Sequence, residues 1–486
     1  MRTRPSTAAA LRGPLEAPAG DAPAAPASPW RLLALSLSML LPSLATSIAN
    51  VALPALASDF GASFPAVQWV VLAYLLAVTS LVVGVGRLGD LVGRRRLLAG
   101  GVALFTAASF ACGLAPSLEL LIAARAVQGL GAAVMMALTV ALVGEAVPKS
   151  RAGAAMGLLG SMSAVGTTLG PAAGGLLIAA AGWRAVFLAT APLGLLALAL
   201  ALAVLPPDRF RAGPAAPRFD LAGAALLALA LAAYALAMTL GRGSFGPVNL
   251  ALLLGAGLCG SLFLHVQGRS ASPLLRPELF RDPVLGAGLG LSLLVATVIM
   301  ATLVVGPFHL SRSLGLGPAA VGLVMAAGPL MAALAGVPAG RLVDRFGAGA
   351  MTRVGLGLMA AGLLGLALAP AALGLAGWLC PVVLVTGAYA LFQAANNTGV
   401  MAGAGAERRG AVSGLLSLSR NLGLITGVAV MGAVFALGAG RSDLAEAPPE
   451  AVAAGMRLTF LAAAGVVLVA LALAARRTTA SGKDAR

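Results

Sequence analysis

Residues 86–96 read Gly86-Arg87-Leu88-Gly89-Asp90-Leu91-Val92-Gly93-Arg94-Arg95-Arg96, a short polar stretch wedged between long apolar runs. A related stretch returns as Gly340-Arg341-Leu342-Val343-Asp344-Arg345-Phe346-Gly347, with the same Gly-x-x-x-Asp-x-x-Gly spacing. The first copy follows the second apolar run of the chain and the other follows the tenth. The chain therefore parses as six runs, two inserted runs, and six more.

The 486 residues are 60% hydrophobic and 10% charged, with a mean hydropathy of +0.98. Soluble domains carry about 25% charged residues, so lipid has to cover a chain this apolar. A net charge of +16 would suggest nucleic acid on a soluble protein. Here the arginines sit in short segments between apolar runs, where they report topology, so the bilayer is the expected partner and nucleic acid is not. Cys112, Cys259 and Cys380 lie far apart inside apolar runs, a pattern of neither disulfides nor a metal site.

A hydrocarbon core about 30 Å thick needs about 20 apolar residues per helix. Runs of that length lie near 31–53, 66–86, 97–115, 118–144, 153–178, 183–205, 220–240, 248–267, 284–308, 318–338, 352–369, 372–395, 411–437 and 455–475. The expected fold is an all-α membrane protein with fourteen transmembrane helices. Residues 1–29 read as a disordered cytoplasmic tail, 30–206 as a six-helix bundle, 207–282 as two inserted helices with linkers, 283–477 as a second six-helix bundle, and 478–486 as a second tail. With both termini cytoplasmic, only Arg184, Arg242, Arg312, Arg441 and Arg457 fall in outer loops, and only Arg125 and Arg420 within spans. All other basic residues then lie inside, the bias expected of cytoplasmic loops.

Four stretches carry a family resemblance. Residues 86–96 resemble motif A of the major facilitator superfamily. Leu121-x-x-x-Arg125-x-x-Gln128-Gly129-x-Gly131-Ala132-Ala133 resembles its motif B, and Gly166-x-x-x-Gly170-Pro171-x-x-Gly174-Gly175 its motif C, a mark of antiporters. Asn50-Val51-Ala52-Leu53-Pro54 resembles the helix 1 signature of fourteen-span drug:proton antiporters. The resemblance covers about residues 31–477 and implies the major facilitator fold in a bacterial inner (cytoplasmic) membrane. It implies proton-coupled multidrug efflux by alternating access, with drug resistance as the phenotype. A monomer working on a small-molecule substrate and protons, without cofactor or metal, is expected. The gating residues implied at motif A are Gly86, Asp90, Gly93 and Arg94, with Gly340 and Asp344 in the second copy. Proton coupling falls on Arg125 and Gln128, with Glu119 nearby, and the antiporter motif on Gly166, Gly170, Pro171 and Gly174.

Each motif also has a physical reading. Gly166, Gly170 and Gly174 recur every fourth residue and line one stripe of helix 5, letting a neighbour approach backbone to backbone. A seal between the two bundles is expected there, with Pro171 bending the helix; close packing without a gate is the plainer reading. Arg125 within a span costs roughly 2.5–3.5 kcal/mol, which suggests a purpose: pairing with a helix 1 polar group, binding a substrate anion, or tuning a nearby carboxylate; a structural hydrogen-bond hub is the plainer reading. Asn50, Asn396, Asn397, Arg420 and Asn421 are polar insertions that line a central substrate cavity or simply pack.

The chain departs from the family at Ala45, where fourteen-span exporters commonly carry an acid. None of the sixteen acidic residues lies mid-span; Asp59, Glu119, Glu145 and Asp220 come nearest. A second reading is therefore an exporter of a dedicated, anionic metabolite contacted by Arg125 and Arg420, and a third is a non-transporting membrane sensor. Gly84-x-Gly86-x-x-Gly89 matches a dinucleotide fingerprint by letter but lacks its strand–turn–helix setting. No Walker A sequence or catalytic constellation appears, so the chain reads as neither ATP-driven nor an enzyme. His265 and His309 sit near span ends with no second ligand within a turn and read as interfacial.

Overall fold

In lipid every backbone N–H and C=O must be satisfied within its own segment, and this chain does so with helices. The computed structural model describes residues 29–146, 152–208, 220–240, 246–270, 282–402, 409–440 and 447–481. The expected N-terminal tail, most of the linkers around the inserted pair and the last five residues lie outside these. Among the described residues there is no strand, and 14 helices are long and apolar enough to cross a membrane.

In chain order they are α1 (Pro29–Asp59), α2 (Phe64–Val92), α3 (Arg94–Gly113), α4 (Leu118–Ala146), α5 (Ala152–Ala181) and α6 (Arg184–Leu188 with Thr190–Val204). Next come α7 (Leu221–Thr239), α8 (Pro247–Arg269), α9 (Pro283–Phe308), α10 (Pro318–Phe346), α11 (Ala348–Leu368) and α12 (Gly374–Ala402). Helix α13 runs Arg409–Thr426, passes through a π turn at Gly427–Met431, and continues over Gly432–Ala439; α14 is Pro449–Ser481. A second π turn, His309–Ser313, extends α9 just after Pro307.

The sequence repeat returns as a repeat of geometry. Gly93 ends α2 with φ 103° and Gly347 ends α10 with φ 84°, a left-handed conformation that glycine adopts without steric cost. Each then starts the next helix at once, so the eighth position of both copies makes the same sharp corner. Their surroundings differ. Gly93 is buried, whereas Gly347 is exposed and nothing lies near the place a Cβ would take.

The main helix pairs are α1 with α5, α2 with α4, α3 with α4 and α6, α7 with α8, α9 with α13, α11 with α12 and α14, and α10 with both α5 and α12. Helices α7 and α8 stay at the periphery: only 11% of the apolar window of α8 is buried, against 67% for α9, and Leu250, Leu254, Leu258 and Leu262 point outward. Two ends can be told apart. One carries Arg94–Arg96, Asp208 and Gly347; the opposite end carries Asp59, Trp183, His309 and Pro449.

Helices α5 and α10 converge at the opposite end and diverge at the arginine-rich one. A Cβ on Gly175 would run into the carbonyl of Pro318, and one on Gly322 into that of Pro171. Towards the other end, nothing approaches the Cβ positions of Gly157 and Gly160 on α5 or of Gly336 and Gly340 on α10. Leu158, Leu330, Leu334 and Val337 are exposed there. The bundle is thus shut at one end and splayed at the other.

Candidate functional site

Arg125 is fully buried on α4, and a guanidinium there needs fixed acceptors in place of water. Its Nε donates to the Val70 carbonyl of α2 at 2.8 Å and its Nη1 to Gln128 Oε1 at 2.5 Å. Gln128 in turn donates to Ser109 Oγ of α3 at 2.7 Å. The guanidinium carbon lies 4.2 Å from the Tyr74 ring centroid and 5.8 Å from that of Phe187, within cation–π range. Tyr74 is itself pinned, donating to the Pro42 carbonyl of α1 at 2.9 Å. Nη2 finds no partner among the described residues. The cation is held by carbonyls, an amide and aromatic faces.

Of the three residues expected at motif B, the structure joins Arg125 and Gln128 and leaves Glu119 apart. Glu119 is exposed in the first turn of α4, six residues before Arg125 and so about 9 Å away along the axis. The other acids nearest the spans are employed elsewhere. Asp59 accepts from Trp183 Nε1 at 2.7 Å and from Arg184 at 3.4 Å, and Asp220 caps α7 through Gly223 N. The side chain of Glu145 lies outside the described residues, as do those of Asp90 and Arg87.

The glycine stripe of α5 faces a different neighbour from the one expected. Gly166 abuts the Leu40 carbonyl, Gly170 abuts Ser47 Oγ, and Gly174 abuts Ile48, all on α1. Ser43 and Ser163 hydroxyls meet at 2.7 Å, and Ser47 donates to the Gly166 carbonyl at 3.2 Å. The stripe thus joins two of the first six helices to each other. Contact with the last six comes from Gly175 and the Pro171 carbonyl, because one residue turns the helix by about 100° and brings Gly175 onto the α10 face.

Around that crossing, further groups close the same end. Phe64 of α2, Phe308 of α9 and Phe435 of α13 are all fully buried. Phe64 meets Phe308 at 4.9 Å and Phe435 at 5.4 Å between centroids, both edge to face, a geometry worth about 0.5–1.5 kcal/mol per pair beyond burial. One turn along α2, Gln68 donates to the Val428 carbonyl at 2.8 Å. Val428 lies in the π turn of α13, where the widened coil leaves carbonyls open to outside donors. Gly432 makes room, since any side chain there would overlap the Gln68 amide.

At the splayed end, motif A folds around a residue that its own spacing does not contain. Asp208, following α6, accepts from the backbone amides of Arg95 at 2.7 Å and Arg96 at 3.2 Å. It thereby serves the open N–H groups of α3. Arg96 Nε stands 4.0 Å from the same carboxylate. Asp208 also packs over Gly93, leaving no space for a Cβ. Gly86 is exposed and Arg94 half-buried, while Gly340 and Asp344 lie in the open second copy, half-buried and exposed respectively.

The other polar insertions do not form one cluster. Asn50 donates back to Thr46 O on its own helix at 3.0 Å, and Asn396 to Gly288 O of α9 at 3.0 Å. Each leaves its amide oxygen buried with no partner among the described residues. Asn421 is buried and Asn397 exposed. Arg420 is half-buried, and its Nε has no partner among the described residues. Sequence reading did not single out Tyr74, Ser109, Gln68, Phe64, Phe308, Phe435 or Asp208. A lone polar or aromatic residue inside an apolar run has no spacing signal, and its partners lie on other helices.

The sequence profile described as Major Facilitator Superfamily matches residues 35–428. The chain is 33% identical over 401 residues to "Uncharacterized transporter YebQ" of Escherichia coli (strain K12), covering 82% of this chain and 87% of the relative. It is 35% identical over 418 residues to "Multidrug resistance protein Stp" of Mycobacterium tuberculosis, covering 83% and 75%. Among solved structures, a bacterial homolog of the human lysosomal transporter Spinster superposes with a TM-score of 0.68 at 19% identity, over 92% of this chain and 96% of that one. That likeness carries the fold. With the repeated corners, the buried motif B arginine and a bundle shut at one end, these matches place the chain in the Major Facilitator Superfamily.

Proposed function

We propose that this protein is a secondary active exporter of hydrophobic or amphipathic small molecules, working by alternating access and proton antiport. The observation that carries the reading is the one-ended closure: α5 and α10 touch through Gly175 and Gly322 and part towards Gly157 and Gly340. A transporter caught open to one side has this geometry, and membership of the family makes the chain a transporter rather than an enzyme. Stp, called a multidrug resistance protein, supports the substrate class. The arginine-rich end of this chain is the cytoplasmic one, by the charge bias of the loops. The conformer is then inward-open, with both termini inside, in a bacterial inner membrane. Residues 30–206 and 283–477 act as two bundles rocking about a midplane site, with α7 and α8 as a peripheral pair.

A second reading, export of an anion, is favoured by one observation: Arg420 is half-buried and its Nε has no partner among the described residues. Arg125 does not add to it, being fully enclosed. Flux in reconstituted vesicles under an imposed pH gradient, with lipophilic cations, neutral compounds and anions, separates the two. Uptake of cations or neutral compounds that collapses with the gradient supports the leading reading. Flux restricted to anions supports the second, and flux indifferent to the gradient removes proton antiport.

A further inference from the structure

The residue after the seal phenylalanine Phe308 is His309, the first of the π turn 309–313. Its ring lies against Trp378 of α12, centroids 5.6 Å apart and planes tilted by 32°, and Trp378 is buried at 1% exposure. Nδ1 of His309 is sealed from solvent and has no hydrogen-bond partner among the described residues. Yet the same residue lines a cavity of about 250 Å³, room for several waters at the roughly 30 Å³ each occupies in the liquid. The cavity is enclosed by the π turn, the α11–α12 connection at Pro370 and Gly374, and the first turns of α14 with Glu450 and Arg457. All these elements belong to the last six helices, so the cavity does not depend on the seal between bundles. Glu450 and Arg457 are exposed and mark its mouth on the end assigned above to the outer face.

We infer that His309 is a proton-binding site loaded from the outer solution through this cavity, and that the bound proton loosens the Phe64–Phe308–Phe435 seal. Imidazole is the side chain whose charge changes near neutral pH, and this one stands between water and a buried aromatic. Protonation turns both ring nitrogens into donors, and a buried, unpartnered Nδ1–H carrying charge is costly. The ring relieves that cost by swinging towards the cavity, where the Glu450 carboxylate is the one anion on its lining. Arg457 on α14 and Arg312 on the π turn oppose the charge, and the cavity-lining parts of α11 and α12 bring no ionisable group. Swinging the ring moves the π turn, and Phe308 is its direct neighbour. Because the proton enters and leaves on one face, it moves no charge across the membrane. It biases the outward opening and leaves antiport stoichiometry to other groups.

The sidedness rests on the orientation proposed above, and the test separates the two ideas. The chain has 2 histidines, so histidine-labelled protein carrying His265→Gln gives one imidazole NMR signal. In proteoliposomes of one orientation, outer pH is taken from about 8 to about 4, through the ordinary histidine range, with inner pH clamped. The His309 signal is expected to follow outer pH, with Trp378 emission falling in step; that loss of emission disappears in both His309→Gln and Trp378→Phe. The initial export rate is expected to rise with outer acidity more steeply in the parent protein than in His309→Gln, which keeps only the response to the proton gradient, while protons moved per substrate stay the same. A His309 signal that stays fixed or follows inner pH overturns the site, as does an undiminished outer-pH response in His309→Gln. If no compound of the panel is transported, the export reading fails, and the NMR and fluorescence titrations still decide the site.

Discussion

Gly175 on α5 and Gly322 on α10 cross backbone to backbone: a Cβ on either would lie 2.7 Å from the Cα of the other. No methyl fits, so Gly175→Val is expected to hold the two helices apart. Overpacking of this kind costs about 1–3 kcal/mol, which lowers the closed population by roughly 5- to 150-fold. Net export should fall accordingly, with substrate and protons leaking through a well-inserted protein. Gly255→Val on the peripheral α8, placed where nothing lies within 4 Å, should transport normally. Flux measured beside membrane abundance checks both, and equal activity of the two variants would remove the crossing from the seal.

Arg125 is a buried cation without a carboxylate among its described partners, and such charges often contribute little to stability. Replacing it together with its amide partner, as Arg125→Met with Gln128→Leu, removes the charge and the group it would orphan. The double variant should melt within about 1 kcal/mol of the parent in stability and lose transport. Arg125→Lys keeps a point charge but not the planar fork that reaches Val70 and Gln128 together, and should show intermediate flux. Thermal unfolding in detergent alongside vesicle flux separates these outcomes. A large drop in melting for the double variant would make the arginine a structural hub.

Asp208 takes the place of a capping residue for α3 although it is 113 residues from Arg95 in sequence. Loss of a helix cap costs about 0.5–2 kcal/mol, so Asp208→Ala should speed hydrogen exchange at the Arg95 and Arg96 amides. Asp208→Asn, which keeps one accepting oxygen, should do so less. Unchanged exchange in Asp208→Ala would show that water replaces the carboxylate at no cost.

How much of this was legible beforehand follows the physics of each element. The fourteen spans were, because a bilayer demands about 20 apolar residues whatever surrounds them. Their ends were not. The apolar run of α10 stops near 338, yet the helix continues to Phe346, since Arg341, Asp344 and Arg345 remain helical once in water. α14 likewise starts at Pro449 and reaches Ser481, beyond both expected boundaries. Motif spacing placed Gly166, Gly170 and Gly174 on one face but said nothing of which helix lay opposite. The Arg125–Gln128 pair was visible as neighbours one turn apart, whereas Tyr74, Ser109 and Phe187 come from three other helices. The π turns at 309–313 and 427–431, which give the closed end its exposed carbonyl and its cavity, have no signature in residue spacing.

The inserted pair is not an idle appendage. Trp69 of α2 donates to Thr239 of α7 at 3.1 Å, and α7 also touches the π turn of α13, so it bridges α2 and α13. Its companion α8 presents bare leucines to the hydrocarbon. In the proposed rocking cycle a swing of α2 would drag a paddle through the surrounding acyl chains, and turnover would then be sensitive to how fluid and how thick those chains are.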